Sequence, residues 1–480
     1  MTGCSDSFLD TELTGSTLSE NQYQTLPEAL DAHVRGLYGK MTMVSDHDLF
    51  GQKSIDIKSD MICGDIALTA INYGWFGSTA SLNGTNSGGT DNNYIWNYYY
   101  QIIKNCNQLL KTALLANVDA PVTHNDSLIA TYAGQAFAMR GYSYFILGTL
   151  YMPQYLEETA LATADLPCVP IYTETSVGAQ PQSSFRDVYA QAENDLVRAQ
   201  SYLATFKRSS KTYIDLNVAK AMLAYVYLQR GSKASTPNDY DLAIELVDSI
   251  VANSECEILP LAQVTENGFN SIKSENWMWA RDITTEMATG MASFFGQMDV
   301  HTYGYAFAGD IKAIDETLYG QIPATDERKK WFDTGRSLCP DKKFFDPKRG
   351  VKAADVDRQW LNDIVFLRIE EAYLIAAEAA WRNGDETTAR KWLEPLLEQR
   401  DPTVAANVGT VDLRSQLEFN WRVELWGEGR GLTTWRRFGG TRTRGSNHFY
   451  FSGESITEID PRVVFVIPSG EYTYNPYINQ

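Results

Sequence analysis

Aromatic rings set among glycines and amides are the side chains of this chain best suited to a chemical task. Residues 64–93 carry Asn72, Tyr73, Trp75, Phe76 and Asn83 in a run rich in Gly, Asn, Ser and Thr. A second irregular stretch carries Trp277, Trp279, Arg281, Tyr303, Tyr305 and Trp331. A sugar presents a flat face of C–H bonds and a rim of hydroxyls. An aromatic ring packs on that face while amide and charged groups bond the rim, the mixture of apolar platform and few polar groups that small-molecule sites use. A loop as long as 64–93 inside a compact chain is functional or mobile, and disordered linkers seldom carry aromatics. Core packing is the competing role. Trp277 and Trp279 alternate as strand residues facing a core would, and for Trp75 and Tyr305 loop packing stands level with ligand contact.

Patterns for catalysis and metal binding are sparse. His33, His47, His124, His301 and His448 show no ligand spacing on a helix face, and HExxH, GxSxG and Walker motifs are absent. Gly427-Glu428-Gly429-Arg430-Gly431 follows a predicted helix, not a strand, and so reads as helix termination, not a phosphate-binding turn. Glu371 and Glu378 share one face of a predicted helix. A glycosidase needs two carboxyls roughly 5 to 10 Å apart across a cleft, whereas Arg382, four residues after Glu378, offers a surface ion pair instead. Asp56, Asp60 and Asp65 can hold a calcium ion together with backbone carbonyls, but they lack EF-hand spacing and read as a solvated acidic face. Of Cys4, Cys63, Cys106, Cys168, Cys256 and Cys339, none forms a CxxC pair, which disfavours a zinc knuckle or a thioredoxin-type site. Cys63, Cys106 and Cys168 read as buried thiols.

The elements that position these groups are mainly helical. At 480 residues, 44% hydrophobic and 21% charged, the chain is long and apolar enough to bury a large core. Its net charge of −19 repels phosphate backbones, which argues against nucleic acid as a partner. No apolar run reaches the roughly 18 residues that span a bilayer. Helices are predicted over Leu26–Met43, Tyr94–Ala116, Ser127–Tyr151 and, behind a Ser184/Asp187 capping box, through Leu203. From Phe366 to Arg400, apolar positions at Phe366, Ile369, Tyr373, Ala377, Ala380 and Trp381 mark one buried face, and Asn383-Gly384 stops the helix before a second begins. Val218 to Val251 repeats this plan, with Ala224, Gly231, Asp239 and Ala243 in the places of Ala377, Gly384, Asp385 and Ala389. Two such hairpins predict stacked repeats of the tetratricopeptide kind. Residues 255–350 lack a sustained helical period except near Ile311–Leu318. A helix over Leu413–Trp426 precedes a tail of loop and short strand. The expected organisation is one α-rich body: a tether at 1–25, a helical part at 26–254, a loop-rich insertion at 255–350, and a helical hairpin and tail at 351–480.

In order, these blocks resemble the SusD/RagB family of nutrient-binding outer-membrane lipoproteins of Bacteroidetes. Cys4-Ser5-Asp6-Ser7-Phe8-Leu9-Asp10 resembles the mature lipidated start. Ile95-Trp96 through Asn105 and Leu109, Ala138-Met139-Arg140-Gly141-Tyr142, and Asp165-Leu166-Pro167 through Pro170 resemble the next blocks. Arg368, Glu371, Leu374, Ala377 and Glu378 are similar to its R..E..L..AEA helix, and Arg422, Glu424, Leu425, Glu428, Gly429 and Arg430 to its R.EL..EG.R block. Trp435-Arg436-Arg437-Phe438-Gly439 and the close Ile467-Pro468, Asn475-Pro476, Ile478-Asn479-Gln480 complete the likeness. Trp421-Arg422, where the family commonly has Glu-Arg, departs from the pattern within framework helix, as does the stretch Glu394 to Arg400. The resemblance implies about four helical-hairpin repeats supporting an irregular half with short strands. It implies triacylation at Cys4, a SusC-like TonB-dependent transporter as partner, and an oligosaccharide bound at the cell surface without catalysis. A glycosidase using Glu371 and Glu378, or a repeat scaffold that binds protein only, are the alternatives. The family's binding residues lie in variable loops, so none transfers by motif.

Overall fold

A computed structural model describes residues 27–114, 127–151, 165–175, 177–352 and 361–478. Cys4 and the 1–25 tether lie outside the described residues. In chain order the longer helices and the strands are α1 (Pro27–Lys40), α2 (Gln52–Ile62), β1 (Ile66–Leu68), α3 (Thr90–Leu114), α4 (Ser127–Leu150), β2 (Pro167–Pro170), β3 (Gln182–Ser184), α5 (Phe185–Leu203), α6 (Leu216–Arg230), α7 (Asp239–Asn253), β4 (Trp277–Arg281), β5 (Lys312–Ile314), β6 (Phe332–Asp333), β7 (Cys339–Pro340), β8 (Ile364–Arg368), α8 (Ile369–Arg382), α9 (Glu386–Glu398), α10 (Leu413–Glu424), α11 (Gly431–Phe438), β9 (Thr441–Thr443) and β10 (Ser455–Thr457). Helical turns of four to six residues punctuate the loops, as at Gly77–Ala80 and Ser469–Tyr474.

From α3 to α9 each helix packs on its successor, giving a stack of tetratricopeptide-like hairpins. α4 is apolar on every side because α3 and α5 cover it from both flanks. The predicted caps set the hairpin ends. Ser184 and Asp187 form the reciprocal box that opens α5. Asp215 caps α6, which ends at Gly231 in the left-handed region, and Asn238 with Asp241 starts α7. Small residues Ala376, Ala377, Ala379 and Ala380 are fully buried on α8, where close helix approach needs them.

Phe366 is not helical, contrary to the expectation for 366–400. Ile364–Arg368 pairs antiparallel with Trp277–Arg281, and the Glu371 carboxylate accepts the Arg368 N–H at 2.9 Å to begin α8. The pairing register slips on either side of Trp279. That irregularity turns the two tryptophans into separate cores. Trp279 joins the helical core with Tyr38, Tyr142 and Phe366, and Trp277 joins a second core with Trp331, Trp426 and Phe344. At 25 cal/mol per Å² each such ring contributes on the order of 4–6 kcal/mol of burial.

Between the helical stack and the loop-rich half lies a buried ionic junction. Glu424 accepts from Arg328, Arg368 and Arg400 at 3.2, 2.9 and 2.8 Å, and Glu428 pairs with Arg368 and Lys343. The expected solvated acidic face does not exist: Asp56, Asp60 and Asp65 are buried. Asp60 accepts the backbone N–H groups of Gly427, Gly429 and Gly431 at 2.8, 3.1 and 2.8 Å, and Asp56 bonds Gln52 and Lys53. The glycine-rich turn thus ends α10 and begins α11 by wrapping a carboxylate. Gly429 holds φ +80, and a Cβ there would meet the Asp56 backbone at 2.7 Å.

Candidate functional site

The 64–93 segment is ordered, though only in part helical or extended. β1 pairs with β5, so that Ile66 faces Ile314, and Thr69 N–H continues the ladder to the Ile311 carbonyl. Beyond it the chain turns over Asp310. This buried carboxylate accepts the N–H groups of Asn72, Tyr73 and Gly74 at 2.8, 3.0 and 3.3 Å. The Asn72 amide donates to the Ala308 carbonyl at 2.7 Å. Gly309, at φ +122, allows the approach, since a Cβ there would stand 3.1 Å from Asn72 Cβ. Phe76 pins the far end: its N–H donates to Asp48, and the ammonium groups of Lys58 and Lys312 lie 4.7 and 4.8 Å from the centroid of its buried ring.

This pinning brings four rings together. Trp75 stacks on His47 with centroids 4.7 Å apart, and Tyr305 meets His47, Tyr73 and Trp75 edge-on at 5.0, 5.3 and 5.6 Å. Tyr73 is 60% exposed, and the other three are half-buried. They form an open aromatic platform, with the exposed Asn72 and Asp46 at its edge. His47 Nδ1 is buried without a hydrogen bond. Burial, then the neighbouring Tyr73 and the Asp310 and Asp46 charges, hold the Tyr305 hydroxyl protonated above its ordinary range. Gln297 supports the platform from below. Its amide donates to the His47 carbonyl and its oxygen accepts from Lys312. Burial pushes Lys312 down to about 7, against the upward pull of Asp310.

The other expected site residues lie elsewhere. Phe76, Trp277, Trp279 and Trp331 are wholly buried and offer no face to a ligand. The Trp331 and Trp279 indoles donate to the Val264 and Thr212 carbonyls, and the apolar bulk of all four rings decides their place. Tyr303 turns toward Phe307, Arg281 donates to Met287 Sδ, and Asn83 bonds Ser81, so none of the three joins the ring cluster. His47 and Asp310 are not marked out by the sequence. The sole local sign of His47 is its polar context, Ser45-Asp46-His47-Asp48, and Asp310 gives none at all.

Glu371 and Glu378 face no cleft. Glu378 is buried between Arg382 and Arg437, at 2.7 and 2.9 Å, instead of forming the expected surface pair. Burial works to raise its pKa, and the two guanidinium groups outweigh it and hold it below the usual carboxylate range. Glu371 is buried against Arg430 at 2.8 Å and the Tyr225 hydroxyl. The five described cysteines are free, and Cys63, Cys106 and Cys168 are buried as expected.

Architecture therefore defines the class first: a tetratricopeptide-like helical scaffold carrying an irregular loop-rich half with a cluster of aromatic rings on it. Residues 183–468 match the SusD family model, and residues 37–228 match a second model described as "starch-binding associating with outer membrane". The chain belongs to the SusD family. It is similar to a SusD-like carbohydrate binding protein from Bacteroides vulgatus (22% identity, 94% of this chain and 97% of that one, TM-score 0.74). A SusD superfamily protein from Bacteroides thetaiotaomicron is similar too (21%, 95% and 99%, TM-score 0.76). So is a putative sugar binding protein from Bacteroides vulgatus (22%, 94% and 97%, TM-score 0.74). No curated protein matches the chain significantly.

Proposed function

We propose that this protein binds an oligosaccharide or polysaccharide at the cell surface and passes it, chemically unchanged, to a TonB-dependent outer-membrane transporter of the SusC kind. The observation that carries the reading is the open platform of Tyr73, Trp75, Tyr305 and His47, bordered by Asn72 and Asp46. Tyr305, set steeply to the other rings, suits with them a curved sugar chain, whose apolar faces stack while its hydroxyls reach the polar rim. The family's outer-membrane description and the sugar-binding names of similar structures support it. The ion-paired, buried state of Glu371 and Glu378 counts against hydrolysis by that pair. On this reading Cys4 carries the lipid anchor. The helical hairpins face the transporter, while the loop-rich half faces the ligand.

A native affinity-gel screen of polysaccharides tests the proposal. One or more polymers retard the wild type, Trp75→Ala and Tyr305→Ala each relieve the retardation, and no reducing sugar is released. Equal retardation of both variants sinks the site, and a blank panel beside a co-purifying transporter favours a protein-only scaffold.

A further inference from the structure

A group of potential metal ligands sits at the root of the loop that carries Tyr305, apart from the aromatic platform. β6 and β7 are joined by a tight turn in which Ser337 and Leu338 both have positive φ, and Asp333 is the direct cross-strand partner of Cys339. Directly opposed residues of an antiparallel pair project their side chains to the same side. His301 comes to them from a separate loop, anchored by its own N–H to Asp299 at 2.8 Å. Ligand atoms of His301, Asp333 and Cys339 all lie within 4.8 Å of one another. The His301 Nε2 is 4.0 Å from an Asp333 carboxylate oxygen and 3.3 Å from one of Asp341. That nitrogen is buried and makes no hydrogen bond, although it points among two carboxylates and a thiol.

We propose that His301, Asp333, Cys339 and Asp341 form a binding site for one divalent transition-metal ion of the zinc type. Zinc bonds of about 2.0–2.3 Å in a tetrahedron place neighbouring ligand atoms roughly 3.3–3.7 Å apart. The His301–Asp341 edge already has this length, the edges among His301, Asp333 and Cys339 must shorten by up to about 1.5 Å, and the Asp341 carboxylate must turn toward Asp333 and Cys339 to complete the set. A thiol and an imidazole beside carboxylates select zinc over calcium or magnesium, which take oxygen ligands alone. On binding, the Cys339 thiol releases its proton and its sulfur takes the metal bond. One thiolate and two carboxylates exceed the charge of the ion by one, and Arg349, donating to Asp341 at 2.8 Å, balances the excess. The ion would clamp the loop that starts at His301 to the β6–β7 hairpin, adding to the apolar contact of Val300, Ala306 and Cys339 and to Arg336 over the Phe307 ring.

The full chain, reduced and stripped with chelator, is titrated with Co²⁺ and then Zn²⁺. Expected are a near-ultraviolet thiolate-to-Co²⁺ charge-transfer band that saturates at one equivalent and its displacement by Zn²⁺. Cys339→Ser abolishes the band, while His301→Ala and Asp333→Asn each weaken Zn²⁺ at least tenfold with unchanged urea midpoints in the absence of metal. No band in the wild type, or one that survives Cys339→Ser, overturns the site and leaves only the 3.3 Å contact between His301 and Asp341. If Cys339→Ser does not fold, the other two variants decide. Unchanged Zn²⁺ affinity in both overturns the proposal.

Discussion

Asp310→Asn tests how the aromatic platform is held. The native carboxylate accepts three consecutive N–H groups, those of Asn72, Tyr73 and Gly74. Hydrogen bonds to a charged acceptor contribute about 1.5–3 kcal/mol each, against about 1 kcal/mol for neutral pairs. Replacing the charge by an amide oxygen weakens each of the three by about 1 kcal/mol, or about 3 kcal/mol together. The loss falls on one short loop, so it appears as local opening before it appears as unfolding. At about 1.4 kcal/mol per decade, amide exchange at residues 72–74 should rise roughly a hundredfold. Lys312 loses its main counter-charge at the same time and moves further toward the neutral amine. The assay is hydrogen exchange read by mass spectrometry on a peptide covering 69–77, with a urea midpoint and a calorimetric titration of the screened oligosaccharide. The expected result is fast exchange confined to that peptide and affinity reduced tenfold or more. Unchanged exchange refutes the anchoring argument. Fast exchange with unchanged affinity refutes the placement of the sugar on Tyr73 and Trp75 while leaving the anchor intact.

Acid should weaken the fold through the ionic junction. Burial works to raise Glu428, but Arg368 and Lys343 outweigh it and hold it at about 2, and Glu424 is held well below its ordinary value in the same way by Arg400 and Arg368. Folded pKa values below the unfolded ones give stability that is present above about pH 4.5 and lost as pH falls through about 2. For Glu428 the full loss is about 3 kcal/mol. Between about pH 6 and pH 3 the urea midpoint of the wild type should therefore fall further than that of Glu428→Gln; parallel declines would show that the pair contributes nothing. Glu378→Gln should cost about 3–5 kcal/mol in urea unfolding, because Arg382 and Arg437 would share a buried site without their anion. Sugar binding by that variant should match wild type wherever it remains folded, and a selective loss of sugar release would restore the hydrolase reading.

The hairpins were readable because their signals are local. Gly231 and Gly384 end helices, Ser184 and Asp187 begin one, and alanines mark the close face of α8. What escaped depends on partners distant in the chain. The composition of α2 is that of an exposed helix, yet all of it is buried, because Asp60 meets the N–H groups of 427–431 and Lys58 meets Asp91. Phe366 carries the right spacing for the helix after it, and strand pairing with 277–281 overrides that spacing. Of the expected ligand residues, the aromatic chemistry of Tyr73, Trp75 and Tyr305 picked out side chains that do meet. The same chemistry also fits a core, which is where Phe76, Trp277, Trp279 and Trp331 reside. His47 and Asp310 needed three-dimensional contact to be recognised at all.

A crystal structure of the protein with the oligosaccharide that the screen selects is the sharpest test of sugar binding on the aromatic platform. A sugar ring should lie against Trp75 or Tyr305, with hydroxyls within hydrogen-bond reach of Asn72, Asp46 or His47. A sugar bound on the helical hairpins, or in a cleft that leaves Tyr73, Trp75 and Tyr305 untouched, would contradict it.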